Sequence, residues 1–388
     1  MKNFPFSKIL FTQPLIHRIA ISIYFFCCGC TFATWAARIP AIKDQFHLNE
    51  AELGAVLFML PLGSLVALPI AGWAVASFGS RYITFISAIM YLVFLMLIGY
   101  SNSVFMLSAV LFCFGFAGDI LNIAMNTQAL LVQEEMYAKP LMSSFHGMWS
   151  LGAMTGALMG GILMTAGLST IAHFWWASGF IFLLLILFFF QLIKKFVPRS
   201  ASAKVFAWPD RALWLLGAIC FCCAFCEGAM ADWSSLYFKQ VINDLNKVST
   251  TGYTAFAFMM AFGRLIGDRL TSRMGYKGIL MLDSALICVG LLIAILIQTP
   301  VMVIIGFGLI GFGVATIIPI VYSLSGRTKT MATSTALATV STVGFTGFLV
   351  GPPVIGFIAH EVGLRWALLI ILFLGLIIFG LGRKVKGD

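Results

Sequence analysis

Runs of about twenty apolar residues recur twelve times along this chain, and that feature restricts the fold to helices crossing a membrane. A strand needs only about 10 residues to cross a bilayer and alternates in polarity along its length. These runs are twice as long and continuous. Inside hydrocarbon each backbone N–H and C=O must find its partner within the structure, which a helix achieves by itself. Of the 388 residues, 61% are hydrophobic and 10% charged, whereas a soluble domain carries about 25% charged residues. The expected class is therefore an all-α membrane protein.

The spans fall in the windows 15–37, 51–76, 82–100, 103–132, 141–166, 170–193, 212–237, 250–270, 278–298, 300–324, 332–359 and 363–382. The longest connection, KKFVPRSASAKVFAWPDR at 194–211, is basic and contains Pro198 and Pro209. It divides the chain into an N-terminal six-helix bundle (1–193), a linker (194–211) and a C-terminal six-helix bundle (212–388). The first twenty residues are basic and run straight into the first span without a small-residue cleavage site, so they read as a cytoplasmic start and not a removed signal peptide.

The net charge of +10 raises the question of nucleic acid, but its distribution answers it. With the N-terminus in the cytoplasm, eighteen Lys and Arg residues fall on that side. Five fall on the other: Arg38, Lys43, Lys239, Lys247 and Arg365. Such a bias is the positive-inside signature of membrane orientation, placing both termini in the cytoplasm. No nucleic-acid partner is expected. The nine cysteines lie almost entirely within spans, and Cys223 and Cys226 read as small apolar residues in preference to a redox or metal pair.

Internal repetition is written into the glycines. Gly115-Phe116 recurs as Gly311-Phe312, 196 residues on; Gly152, Gly156 and Gly161 recur as Gly347, Gly351 and Gly356, 195 residues on; Thr34-Trp35 recurs as Asp232-Trp233, 198 residues on. Two six-helix repeats of the same sense, related by an axis along the membrane normal, are the architecture of major facilitator transporters. Their halves rock about a shared central cavity. The glycines themselves read as packing surfaces that let a neighbouring helix come close.

Polar residues inside the spans are the candidate site. Asp119 is a lone carboxylate within 103–132, and at about 100° per residue Asn122, Asn126 and Gln133 share its helix face. A charge at the bilayer centre costs about 3 kcal/mol, so Asp119 should face a watery cavity or a partner. Glu227 occupies the middle of the seventh span with Ser234 on the same face, and Asp232 lies beside Trp233 about one turn further on. Carboxyls at that depth suit a proton loaded and released during transport. Arg38 is read as a gate or anion contact at the outer mouth, or as a boundary arginine reaching headgroups. His146, near Glu134 and Glu135, is a proton-relay or substrate-contact candidate, against a hydrogen-bonded structural role. Trp35, Trp149 and Trp233 offer ring surfaces to a substrate or to packing. Arg264 and Asp268 are four residues apart and should pair within their helix, with Asp283 competing for Arg264, as a gate.

The stretches AMNTQALLVQ, LMSSFHGMWSLGAMTG, EGAMADWSSLYF, GRLIGDRLTSRMG and VGFTGFLVGPPVIGF resemble the bacterial MosC-like branch of the major facilitator superfamily. The likeness spans nearly the whole chain and implies a secondary transporter of twelve helices. The superfamily's first loop motif is partly present: Gly72, Gly79 and Arg81 match, but Ala76 stands at the acidic position.

These readings converge on a secondary active transporter of a small organic solute, expected to be a monomer driven by protons and to require no cofactor or metal. An exporter of apolar or toxic compounds, or a transporter-derived sensor without turnover, are the alternatives. The chain contains no GxxxxGK[ST], HExxH or GxSxG sequence, which argues against ATP drive and against a membrane enzyme. Reporter domains fused after Lys386 and within 194–211 should both signal from the cytoplasm; a periplasmic signal at either position would overturn the span count.

Overall fold

A backbone that must satisfy itself inside each apolar run becomes helical there, and the computed structural model is helical in all twelve. It describes residues 13–137, 141–194, 211–242, 250–325 and 333–385. The spans are 1 (Gln13–Gln45), 2 (Glu50–Phe78), 3 (Ser80–Gly99), 4 (Val104–Val132), 5 (Met142–Thr165), 6 (Thr170–Phe189), 7 (Arg211–Ile242), 8 (251–274), 9 (276–296), 10 (Pro300–Ser325), 11 (Thr333–Val362) and 12 (Leu364–Gly382). Eleven stretches among the described residues are long and apolar enough to cross a membrane. Span 8 is the exception, because it carries Arg264, Asp268, Arg269 and Arg273. It is continuous with span 9 except for a bend at Gly275, where φ is +71°.

Local chemistry sets the boundaries. Asn49 accepts from the Glu52 backbone N–H at 2.8 Å while the Glu52 carboxylate accepts from the Asn49 N–H at 2.9 Å, a reciprocal cap that starts span 2. Ser103 and Ser169 cap spans 4 and 6 in the simpler way, each accepting from a backbone N–H three residues on. An even number of spans brings both ends of the chain to one side, called here the terminus face; the opposite side is the far face.

The repeats hold at atomic scale. A methyl group placed on Gly152 would lie 2.0 Å from the Phe26 carbonyl oxygen, and one on Gly347 would lie 2.3 Å from that of Phe221. The two contacts are related by the same 195-residue shift on both sides. Gly115 against Leu60 and Gly311 against Phe256 repeat at 196, with separations of 1.9 and 2.2 Å. Spans 1–6 and 7–12 are thus two parallel six-helix repeats, the major facilitator fold.

One expected symmetry breaks. Gly156 lies hard against span 1, with a methyl 2.6 Å from the Cys30 oxygen, but the same atom on Gly351 would be 3.8 Å from Phe225. Span 11 contains Pro352 and Pro353 at this level and packs against span 2. There a methyl placed on Gly356 would lie 2.6 Å from the Glu50 oxygen and one on Gly54 2.7 Å from the Pro352 oxygen, so the two halves approach closely near the far face.

Span 10 is interrupted at Ala315–Thr316, between helices Pro300–Val314 and Ile317–Ser325, whereas its repeat mate span 4 is unbroken. At the break the Thr316 hydroxyl donates to the Asp283 carboxylate. Asp283, 2% exposed, therefore serves the interruption in span 10 and does not compete for Arg264. The buried Gln128 performs a comparable task that the sequence reading overlooks: it donates to Ser80 Oγ at 2.7 Å and to the Ile193 oxygen at 2.9 Å, and accepts from the Ile193 N–H at 2.8 Å. Arg81 of the loop motif is buried beneath the ring of Phe189, 4.6 Å from its centre.

Crowding of backbone against backbone has little room to relax. Gly152→Ala and Gly347→Ala should each cost about 1–3 kcal/mol or more, and Gly351→Ala much less. Thermal unfolding of the purified variants in detergent checks the order; equal losses in all three would contradict the asymmetry.

Candidate functional site

A cavity of about 780 Å³ lies between the two halves, lined from one side by spans 1 to 5 and from the other by spans 7, 8, 10 and 11. It runs from Tyr253, near the far face, to Pro69 and Tyr322 in the direction of the terminus face. Its titratable carboxyls are Asp119 from the first half and Glu227 and Asp232 from the second.

Asp119 sits midway along span 4, and its Oδ2 is buried without a hydrogen-bond partner among the described residues. Asn122, one turn on, also lines the cavity. Asn126 folds back on it, donating to the Asn122 backbone oxygen at 2.8 Å and to its side-chain oxygen. Gln133 leaves this row altogether: its Oε1 accepts from the backbone N–H groups of Leu141 and Met142 at 2.8 and 3.3 Å, holding the entry to span 5. The polar wall is therefore Asp119 and Asn122; Asn126 spends its Nδ2 on Asn122, and its Oδ1 is buried without a partner among the described residues.

Glu227 has a counter-ion. Arg264 Nη2 lies 3.1 Å from Glu227 Oε1, and Arg264 Nη1 donates to Ser150 Oγ of span 5 at 2.7 Å, tying the halves together at the cavity wall. The expected gate of Arg264 with its helix neighbour is thus replaced by a contact across to span 7; the Asp268 side chain lies outside the described residues. Helix spacing predicts neighbours along one helix, whereas this guanidinium is long enough to reach the next one.

Other expected site residues divide into those on the cavity and those removed from it. His146 lines it, its ring edge-on to Phe25 at 5.3 Å between centres. The side chains of Glu134 and Glu135 lie outside the described residues. Asp232 also lines the cavity. Arg38 does not: it is 3% exposed, and it donates through Nε to His173 Nδ1 and through Nη2 to the Leu168 oxygen, both at 3.0 Å. It is a buried tie between span 1 and span 6, so the mouth or headgroup roles are excluded in this structure. Trp35 and Trp233 are fully buried away from the cavity, and Trp149 is the tryptophan on its wall, beside Phe32. Tyr91, Tyr253, Phe256, Phe345 and Phe348 add rings that the sequence reading did not single out.

The far face is held shut by polar contacts between halves. Lys239 pairs with Asp44 and donates to the Pro40 oxygen at 3.4 Å, and Gln240 donates to Glu50 at 3.0 Å. Lys43 adds a contact to Glu50 at 3.1 Å within the first half. Lys239 and Gln240 stand on a π-helical turn, Phe238–Ile242, that ends span 7.

The Major Facilitator Superfamily profile matches residues 20–333 and 253–385. The membrane protein MosC of Rhizobium meliloti is 31% identical, over 92% of this chain and 88% of its own. This chain belongs to the major facilitator superfamily. An uncharacterized MFS-type transporter of Yersinia pestis is 32% identical over 90% of each chain. Among solved structures, a mutant of the nucleoside transporter NupG superposes with a TM-score of 0.78 at 12% identity, covering 95% of this chain and all of that one. A bacterial homologue of the lysosomal transporter Spinster, inward-facing and unoccupied, gives 0.71 at 14% identity, covering 97% and 98%. The superfamily membership makes this a multi-pass membrane transporter and not an enzyme, with a small molecule as its substrate.

Removing one member of the Glu227–Arg264 pair leaves a charge without its counter-ion. Both side chains keep about a tenth of their surface exposed, so Glu227→Gln or Arg264→Gln alone should cost roughly 2–3 kcal/mol, below the fully buried range. The double variant should recover part of that loss. Additive losses in a thermal double-mutant cycle would show that the two side chains do not interact.

Proposed function

We propose that the chain is a secondary transporter that moves a small organic solute by alternating access, driven by protons. It works in the bacterial inner membrane as a monomer, with both termini in the cytoplasm, as the eighteen-to-five bias of basic residues supports. The terminus face is then cytoplasmic. On this reading 1–193 and 212–388 are the two rocking bundles and 194–211, of which all but the ends lie outside the described residues, is the cytoplasmic linker.

The observation that carries the proton is Asp119. Glu227 has Arg264 opposite it, whereas Asp119 has a buried oxygen and no partner among the described residues. A cavity cannot close around an uncompensated carboxylate without a large desolvation cost, so it must first receive a proton or a counter-charge. That requirement links occupancy to the change of access. Asn122, His146, Asp232 and Trp149 are assigned to the solute pathway, and Arg264 with Glu227 to the seam between halves. The cavity volume suits a metabolite or drug-sized solute, since ligand sites run to about 300–1,000 Å³.

In vesicles holding the purified protein, Asp119→Asn should abolish accumulation driven by a pH gradient while retaining solute exchange at equilibrium. Normal accumulation by this variant would place the driving ion elsewhere. Absence of flux in the unmodified protein, with solute binding intact, would favour a sensor.

A further inference from the structure

The charge inventory of the cavity goes further than its volume. Five lining side chains are acidic, basic or imidazole: Asp119, Glu227, Asp232, Arg264 and His146. Arg264 is engaged by Glu227, so the two cancel. Asp119 and Asp232 have no hydrogen-bond or ion-pair partner among the described residues, and they approach the cavity from opposite halves. Even with a coupling proton on one of them, the other remains as uncompensated negative charge when His146 is neutral. An anionic solute would be drawn into a low-dielectric site against like charge, and a neutral one would leave the carboxylate uncompensated. A solute cation supplies the missing counter-charge.

The rest of the wall fits the same chemistry. Trp149 and Phe32 stand together, 6.0 Å between ring centres, and Tyr91, Tyr253, Phe256 and Phe345 supply further ring faces around the space. A ring face attracts a cation when the charge lies within about 6 Å of its centre, and it packs equally well against an apolar body. A compact, strongly hydrated metal ion would leave this aromatic surface unused. We infer that the solute is an organic monocation, an amine or quaternary nitrogen on an apolar or aromatic body, held between Asp119 and Asp232 and bounded by these rings. The inference rests on the cavity being the transport site, as proposed above.

Three probes of one shape and different charge test it: 1-methyl-4-phenylpyridinium, biphenyl-4-carboxamide and biphenyl-4-carboxylate. Binding to the full-length purified protein is read by calorimetry. The cation should bind about tenfold or more tightly than either counterpart, the scale of one compensated charge and a ring contact. Asp119→Asn and Asp232→Asn should each weaken the cation and leave the anion unchanged or improved, while Asp119→Glu, which keeps the charge, should retain binding. Unaltered thermal unfolding of the variants separates loss of charge from loss of fold. Equal or tighter binding of the anion or the amide, or saturable binding of none of the three, would overturn the inference. Flux of the cation across vesicles under a pH gradient is the separate readout. Binding without flux would leave the cation assignment standing and contradict the transport reading, whereas flux of the anion alone would do the reverse.

Discussion

A carboxylate at the middle of a membrane-spanning helix is the constraint on which the arrangement of this transporter turns. Lipid cannot solvate it, so the helix that carries Asp119 must face something other than lipid. The protein meets that demand by setting two six-helix bundles against each other around a common cavity. Each half contributes acid to it, Asp119 from span 4 and Glu227 and Asp232 from span 7. The acids differ in pairing: Arg264 reaches Glu227, and among the described residues no cation reaches Asp119 or Asp232. An unpaired group whose charge can change is the element by which an ion gradient can act on the protein's shape.

Building a cavity demands walls that hold, and glycine provides them. Without a hydrophobic driving force between helices in lipid, close backbone approach supplies the packing attraction. Span 5 seats on span 1 through Gly152 and span 11 on span 7 through Gly347, with matching geometry in the two halves. The seam between bundles mixes both kinds of contact. At the far face the close approach of span 2 and span 11 at Gly54 and Gly356 is joined by Lys239 with Asp44 and Gln240 with Glu50. The Lys239–Asp44 pair is well exposed, and exposed pairs contribute about 0.2–1 kcal/mol each.

Much of this was legible in one dimension. Span number and the repeat at 195–196 residues follow from apolar run length and recurring glycines, which do not depend on how the chain closes up. The candidate site was legible only in part. Asp119, Asn122, His146, Glu227 and Asp232 do line one cavity, because buried polar groups in lipid have few other places to go. Partner choice was not legible. Arg264 finds a carboxylate 37 residues away and not four, Arg38 turns inward to His173, and Trp149 takes the wall position while Trp35 and Trp233 are packed away. Each outcome depends on the rotation of one helix against another, which residue spacing within a helix does not encode. Gly351 likewise departs from its repeat mate, at the level where span 11 carries Pro352 and Pro353 and packs against span 2.

The central claim is that neutralising the cavity carboxyl allows the far-face seam to part. Spin labels at Gln45→Cys and Gln240→Cys, in a background with the nine native cysteines replaced, report the width of that seam directly by electron–electron double resonance in lipid nanodiscs. The account predicts two distance populations whose ratio shifts between acid and alkaline buffer, and a ratio that no longer responds when Asp119→Asn is added. A single short distance at every pH, or an undiminished response in the Asp119→Asn protein, would contradict it.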